Sequence, residues 1–372
     1  MSTRRCAHCG ALYPYDIESC TLCGGELEEL PPVHGVVVAS TRVETPSRTH
    51  EQVPYWVALV RDDDGRVVLT KRDADVDVGD ALAPEEPPRL DETVGVLGYG
   101  AMGRGLVELL LLRGASVVWW GRFPDKLADG RAHVFDRLTR SLDQSQIVEA
   151  EDKLTCSTDM SALSRCDLVI EAVAEDLTTK LEVLKEAEAH MRTSAVLATN
   201  TSSLSIDELA STLEHPERFG GLHFFNPPVR MQLVETVSSA YTSPEVSRAL
   251  ERYALAFGKV PVNVAPSPGF VVNRALMRLL NEAVRELEEG VASAQDIDCA
   301  IRLGLNHPMG PLELADLIGV DVVVSIMEDL ATRLDDPSYA PRPLLREMLT
   351  RGELGRKTGA GFYAYVPHPS AP

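Results

Sequence analysis

The chain has 372 residues, too many for one hydrophobic core, and a composition ordinary for a globular protein. A formal net charge of −20 argues against wrapping nucleic acid. No apolar run has the length and purity of a membrane span, since the best candidate, Leu106 to Trp120, carries Glu108 and Arg113. Arg4 and Arg5 are followed by no apolar stretch, so no secretory signal is expected. Four of the seven cysteines lie in the first 23 residues and the rest are scattered, which is not a secreted disulfide framework. A cytoplasmic location is the expectation.

Residues 1–30 carry Cys6-Ala7-His8-Cys9-Gly10 and Cys20-Thr21-Leu22-Cys23-Gly24. Each pair presents two thiolates from one tight turn, and four thiolates close a tetrahedral structural zinc site on Cys6, Cys9, Cys20 and Cys23. His8 is then surplus. A redox pair is the competing reading, and two matched turns argue against it. So short a segment buries little core, so metal binding is what would fold it.

Residues 31–83 read as short strands. Val33 to Arg42 is rich in valine, Tyr55 to Val60 is a second strand, Asp62 to Gly65 a hairpin turn, and Val67 to Thr70 the return strand. Asp77-Val78-Gly79-Asp80 reads as a further turn. With the two cysteine knuckles, Pro54-Tyr55-Trp56-Val57-Ala58-Leu59-Val60 and Val78-Gly79-Asp80, this region resembles the DUF35 family, a rubredoxin-like zinc ribbon followed by an OB-fold. The resemblance implies a small β-barrel and a role near acyl-CoA enzymes such as thiolases. OB-folds also bind nucleic acid. Residues 1–89 hold nine Lys and Arg against sixteen Asp and Glu, so no basic groove is readable. Residues 84–90, Pro84-Glu85-Glu86-Pro87-Pro88-Arg89 and Leu90, read as a stiff linker.

Residues 91–268 read as an α/β Rossmann domain. A buried strand, Thr93 to Leu97, runs into Gly98-Tyr99-Gly100-Ala101-Met102-Gly103 and then an amphipathic run to Arg113. This is GxGxxG in its required strand–helix setting. Gly98 permits the turn, Gly100 the approach of a pyrophosphate, and Gly103 close packing, with a helix N-terminus facing the anion. A lone motif of this kind is weak; placed so, it points to NAD, NADP or FAD. The next strand, Ser116 to Trp120, ends in Gly121-Arg122 where an acidic residue would hold a ribose 2′-hydroxyl. That predicts a preference for NADP, the alternative being an exposed Arg122 with loose use of NAD. Asp167 to Val173 and Ala195 to Ala198 are further strands, with a helix from about Thr178 to Met191 between them. Thr199-Asn200-Thr201-Ser202-Ser203 then falls at a strand end, where Asn200 and Ser202 are candidate ligand contacts and Ser205 a helix cap.

Leu222-His223-Phe224-Phe225-Asn226-Pro227-Pro228 and Leu233-Val234-Glu235 set one histidine among aromatics, with one glutamate twelve residues on. A carboxylate behind an imidazole orients the ring and favours its protonated form, which makes a general base. The bland alternative is a core histidine beside a surface glutamate. Residues 269–372 read as helical: Leu276, Leu279, Leu280, Ala283, Val284 and Leu287 share one face, ended by Gly290, and Asp296 to Leu303 is another helix. Gly355 to Tyr363 is a glycine-rich stretch without strand–loop–helix context, so a flexible tail is favoured over a phosphate cradle.

GYGAMGRG, NTSSLSI, GLHFFNPPVRMQLVE, SPGFVVNR, HPMGPLELAD and GRKTGAGFY, in that order, resemble the 3-hydroxyacyl-CoA dehydrogenases, including the 3-hydroxybutyryl-CoA dehydrogenases, over about three quarters of the chain. The resemblance implies His223 as general base and Glu235 as its orienting partner. It implies Ser202 and Asn273 at the substrate oxygen with Asn226 close by, and cofactor contacts from Glu175, Lys180 and Asn200. It also implies a homodimer through the helical domain. The acid missing after the second strand departs from the pattern. Arg131, Arg137 and Arg140 are candidates for the CoA phosphates without a position-by-position match. Two other readings stay open: a hydroxyacyl group on a carrier protein or a hydroxy acid as substrate, and a non-catalytic acyl-CoA-binding scaffold.

Overall fold

A computed structural model describes residues 4–6, 12–13, 26–29, 35–43, 55–61, 67–72, 76–82 and 92–365. The chain divides into two compact units, Met1–Pro88 and Arg89–Pro372. In the first, β1 (Arg4–Cys6), β2 (Leu12–Tyr13) and β3 (Leu27–Glu29) form an antiparallel sheet in the order β2-β1-β3. A second antiparallel sheet joins β4 (Gly35–Val43), β5 (Tyr55–Arg61), β6 (Val67–Arg72) and β7 (Ala81–Leu82) in the order β6-β5-β4-β7. Its small core is Val37, Ala58, Val60 and Val76. The turn read at Asp77–Asp80 is present, with Gly79 at φ +102° and its amide bonded to Val37 O at 2.8 Å. Cys9, Cys20 and Cys23, the Asp62–Gly65 turn and the linker lie outside the described residues, and Cys6 is described only through its backbone.

The second unit is built on β8 (Thr93–Leu97), α1 (Ala101–Leu112), β9 (Ser116–Trp120), α2 (Pro124–Leu138), α3 (Gln144–Lys153), β10 (Leu154–Ser157), β11 (Leu168–Glu171), α4 (Leu177–His190), β12 (Val196–Thr199), α5 (Ile206–Ala210), β13 (Phe219–Phe224), β14 (Leu233–Val237), α6 (Pro244–Ala256) and β15 (Val260–Val264). Eight strands form one sheet in the order β10-β9-β8-β11-β12-β13-β14-β15. The first six are parallel and reproduce the doubly wound order 3-2-1-4-5-6. The strands are apolar almost throughout because helices cover both faces. Alternate residues divide between two cores. Val94, Val96, Val117, Trp119, Leu168 and Ile170 pack under α1, α2 and α6. Leu97, Val118, Trp120, Val169 and Leu197 pack under α4 and α5. β14 is antiparallel to β13, and that reversal brings its side chains beside the end of β13.

The helical part holds α7 (Val272–Glu288), α8 (Ala294–Gly304), α9 (Pro311–Ile318), α10 (Val320–Arg333) and α11 (Pro343–Arg351) around Met277, Leu280, Val284, Leu312, Val323 and Met327. The read face of α7 is turned inward, with Leu280, Ala283 and Val284 buried and Leu276, Leu279 and Leu287 half-buried. The glycine-rich stretch is an ordered strap rather than a loose tail. Buried Asp316 accepts from the amides of Phe362 (2.9 Å) and Tyr363 (3.0 Å) and from the Tyr365 hydroxyl (3.0 Å). Gly361 leaves room for that carboxylate: a Cβ there would lie 2.0 Å from Asp316 Oδ1. No described helix is long and apolar enough to cross a membrane.

Candidate active site

Parallel strands β8, β11, β12 and β13 end on the same side of the sheet, so the segments after them converge there. The strand order reverses between β8 and β11, where a crevice opens in doubly wound sheets. The loop after β8 is built for close approach. Gly98 takes φ +110°, and any Cβ there would lie 2.5 Å from Ala172 O. A Cβ on Gly103 would lie 2.2 Å from Gly98 O, so this glycine lets α1 pack on the loop. Gly100 is exposed, caps α1, and would meet nothing with a Cβ. Trp119 pins the loop, its indole N–H donating to Gly98 O at 2.7 Å. A bare helix N-terminus above an open glycine fits a pyrophosphate. Arg122 follows β9 on the surface and pairs with Glu182 at 3.3 Å.

His223 and Glu235 are opposite each other in the β13–β14 register. Both are buried, at 5% and 1% exposure, and His223 Nδ1 lies 2.7 Å from Glu235 Oε2. An ionised carboxylate only accepts, so Nδ1 carries the proton and Nε2 is left as acceptor. Glu235 Oε1 accepts from the amides of Val271 and Val272, each at 3.0 Å, at the entry to α7. Burial alone would push Glu235 up; the His223 hydrogen bond and these amides outweigh it and hold the carboxylate below its ordinary range. The rings of Phe225 and Phe270 flank the imidazole with centroids 4.7 and 5.5 Å away. The dyad is therefore held on the ring edge by Glu235 and on its sides by two aromatic rings.

The loop after β12 is gathered by one carboxylate. Glu175 Oε1 accepts from Thr201 Oγ1 (2.6 Å), the Ser202 amide (2.7 Å) and hydroxyl (3.1 Å), and the Ser203 amide (3.0 Å). Burial opposes the charge on Glu175, but Lys180 and these donors hold its carboxyl below the ordinary range. Lys180, 1% exposed, bonds both oxygens of fully buried Glu171 (2.8 and 3.0 Å) and pairs with Glu175 at 3.2 Å. The Thr199 hydroxyl (2.6 Å) and the Val173 amide (2.7 Å) also donate to Glu171. Lys180 thus reaches the crevice through Glu175 rather than by its own ammonium. Asn200 Oδ1 accepts from the Phe224 amide at 2.8 Å and ties the end of β12 to β13. Ser205 caps α5 as read, accepting from the Glu208 amide at 3.2 Å. Asn226 is exposed just past β13, before a cis bond to Pro227, and Asn273 is half-buried in the first turn of α7.

Two family profiles match the unit that carries this geometry: "3-hydroxyacyl-CoA dehydrogenase, NAD binding domain" over residues 93–267 and "3-hydroxyacyl-CoA dehydrogenase, C-terminal domain" over residues 269–365. The chain belongs to the 3-hydroxyacyl-CoA dehydrogenase family. A 3-hydroxybutyryl-CoA dehydrogenase of Clostridioides difficile is 41% identical over 277 residues, covering 73% of this chain and 99% of that protein. The human mitochondrial hydroxyacyl-coenzyme A dehydrogenase is 36% identical over 284 residues, 73% of this chain and 90% of that protein. The crystal structure of an (S)-3-hydroxybutyryl-CoA dehydrogenase from Ralstonia eutropha superposes with a TM-score of 0.72 at 40% identity, covering 75% of this chain and all of that one.

Within this 3-hydroxyacyl-CoA dehydrogenase fold, the three arginines read as CoA contacts are already paired. Arg131 meets Glu151 at 3.2 Å, Arg137 meets Glu108 at 2.6 Å, and Arg140 meets Asp136 at 2.8 Å. Four contributors were not read from the sequence. Phe270 stands at φ +48°, a backbone choice that no residue type announces. The Val271 and Val272 amides act through the backbone. Buried Lys259 donates to the carbonyls of Pro228 (2.6 Å) and Met231 (2.9 Å) and clamps the loop that carries Asn226. Only the odd placement of a lysine before an apolar strand hinted at it.

Proposed function

We propose that this chain transfers hydride reversibly between NAD(P) and the 3-hydroxy or 3-keto position of a short-chain acyl-CoA. The buried His223–Glu235 dyad, at the same sheet end as the Gly98–Gly103 loop, carries the reading. The dinucleotide, when bound, supplies the hydride acceptor or donor. Gly98, Gly100 and Gly103 would hold its pyrophosphate, with Glu175 and Asn200 lining the crevice and Lys180 fixing Glu175. In the oxidative direction His223 Nε2 takes the proton of the 3-hydroxyl, while Glu235 keeps the ring in the required tautomer. In reverse the imidazolium returns that proton to the forming alkoxide. Asn273, together with Ser202 once its hydroxyl turns from Glu175 to the substrate, would hydrogen-bond the oxygen on which charge develops, with Asn226 beside them.

The missing acid at Gly121 and the adjacent Arg122 support NADP over NAD. Among the described residues Arg122 pairs with exposed Glu182, an interaction worth about 0–1 kcal/mol, which a 2′-phosphate can replace. Acetoacetyl-CoA supplied with NADH and NADPH in parallel, followed by the absorbance of the reduced coenzyme, tests both points. Turnover with either establishes the reaction, and a higher kcat/KM for NADH would remove the NADP preference. The half-buried Arg137–Glu108 pair at 2.6 Å, which withdraws one of the three cations from the CoA phosphates, favours a second reading, a carrier-bound hydroxyacyl group or a hydroxy acid. Silence with acetoacetyl-CoA and activity on such a substrate would select it.

For the first unit the reading remains a structural zinc on Cys6, Cys9, Cys20 and Cys23 with an OB-like module, docking an acyl-CoA enzyme such as a thiolase. The spacing of the two cysteine turns supports it. One zinc per chain by elemental analysis is expected, and none would end that reading. A homodimer through α7–α11 is expected by sedimentation.

A further inference from the structure

The family pattern places a carboxylate at the end of the second strand, and this chain has Gly121 there. We infer that Tyr99 and Gly121 form one coupled specificity element on the adenosine side of the crevice. The Tyr99 ring takes the volume that a ribose-binding carboxylate at position 121 needs. This deepens the dinucleotide reading above and rests on it.

Gly121 is buried, and its amide is bonded to Ser157 O at 3.2 Å, so its backbone is fixed to β10. A Cβ at this position would lie 2.5 Å from Cδ1 and 3.0 Å from Cε1 of Tyr99, and 3.2 Å from Leu127 Cδ2. The first distance is below any real Cβ contact. The obstructing atom is a ring carbon near the base of the side chain, not a flexible tip. The Tyr99 backbone cannot retreat either. Gly98 before it is held by its amide to Trp120 O (3.0 Å) and by the Trp119 indole on its carbonyl (2.7 Å). Gly98 also sits against Ala172, where even a Cβ finds no room.

The ring must therefore rotate if residue 121 gains a side chain. Any such movement disturbs its packing on the core that includes Val94, Trp119 and Leu127, beside the loop proposed to hold the dinucleotide. Phe123, exposed and with its ring centroid 6.5 Å from that of Tyr99, lines the same corner. The result is a wall of rings with one exposed cation, Arg122, paired across to Glu182 of α4 at 3.3 Å, and with no carboxylate on residue 121 itself. That chemistry takes a 2′-phosphorylated dinucleotide in preference to a bare ribose. It also means that the acid cannot be restored by one substitution.

The test uses the full-length protein with Gly121→Asp, Tyr99→Ala and the double variant, reading Tm and the dissociation constants of NADH and NADPH from the fluorescence of the bound reduced coenzyme. Gly121→Asp alone is expected to lower Tm and weaken both coenzymes. The double variant is expected to recover Tm and to bind NADH about tenfold or more tighter than Gly121→Asp does. Additive effects, or an NADH-selective and stable Gly121→Asp protein, would overturn the pairing. If Gly121→Asp does not fold, Gly121→Ala with and without Tyr99→Ala poses the same steric question, and absence of coupling there is equally fatal. Wild-type protein that binds no dinucleotide would instead sink the cofactor reading, and one that prefers NADH would sink the NADP preference. Neither result alters the Tm coupling.

Discussion

His223 and Glu235 are direct cross-strand partners, so their 2.7 Å contact follows from the register of β13 on β14 and not from a loop conformation. A one-residue slip would send one of the two side chains to the opposite face of the sheet. His223→Ala is expected to lower kcat by about two to four orders of magnitude, the usual worth of a general base, with coenzyme affinity retained. Stopped or steady-state kinetics and coenzyme titration on the same preparation check it. Retained turnover would remove the base assignment.

Glu235→Gln tests the dyad through pH. The folded carboxyl lies below the ordinary glutamate value of 4.5, so its contribution to stability is complete above that value and is lost as pH falls through the lower folded value. The wild-type protein should exceed the variant in Tm near neutrality, and the gap should close below about pH 4. A gap independent of pH would mean that the charge on Glu235 is not what its partners hold.

Gly100 and Gly103 separate binding from folding. A methyl group on Gly103 meets Gly98 O at 2.2 Å, whereas one on Gly100 meets nothing. Gly103→Ala should therefore lower Tm, while Gly100→Ala should fold normally and lose dinucleotide affinity. Calorimetric titration with the coenzyme, paired with thermal melts, gives both readouts. Equal loss of stability in the two variants would contradict the proposed pyrophosphate cradle.

The Rossmann domain was legible because the apolar run Thr93–Leu97 leads straight into Gly98–Gly103 and an amphipathic helix, whereas the order of the strands in the sheet was not, since an apolar run does not name its neighbours. The dyad was legible as a pair of residue types, but its register was not, since twelve residues fit several pairings of β13 with β14. Lys180 shows the limit most clearly. Its spacing from Glu175 says nothing of Glu171 beneath it, because burial is a property of the assembled sheet end. The same holds for Asp316, whose role in ordering the Gly355–Tyr363 strap depends on contacts more than forty residues apart.

Lys180→Met leaves Glu171 buried without its cation, which costs about 3–5 kcal/mol when one partner of a buried pair is removed. Denaturant unfolding should show that loss. Replacing Lys180 and Glu171 together by Met and Gln should recover most of it. In the recovered variant Glu175 still lacks its cation, so kcat should fall while the melting temperature returns. Full activity with restored stability would show that Lys180 has no part in setting the Ser202 hydroxyl.

Lys259 offers the last test, because it touches neither half of the dyad. Among the described residues its buried ammonium pairs with no carboxylate; it bonds two carbonyls, Pro228 O and Met231 O, in the segment that connects β13 to β14. Pro228 is wedged from the other side by α1, where a Cβ on Gly105 would lie 2.6 Å from its Cδ. The segment is thus gripped at both faces, and Asn226 rides on it. Lys259→Met keeps the apolar stem and removes the donors, leaving the buried Pro228 carbonyl unsatisfied at about 1–3 kcal/mol and the part-buried Met231 carbonyl without its lysine partner. The dyad and the glycine loop are anchored elsewhere, by Val271, Val272 and Trp119, so coenzyme affinity should be unchanged. The KM for the acyl substrate should rise, with a smaller change in kcat. A variant that loses coenzyme binding, or kcat alone, would show that the clamp does not act through the Asn226 segment.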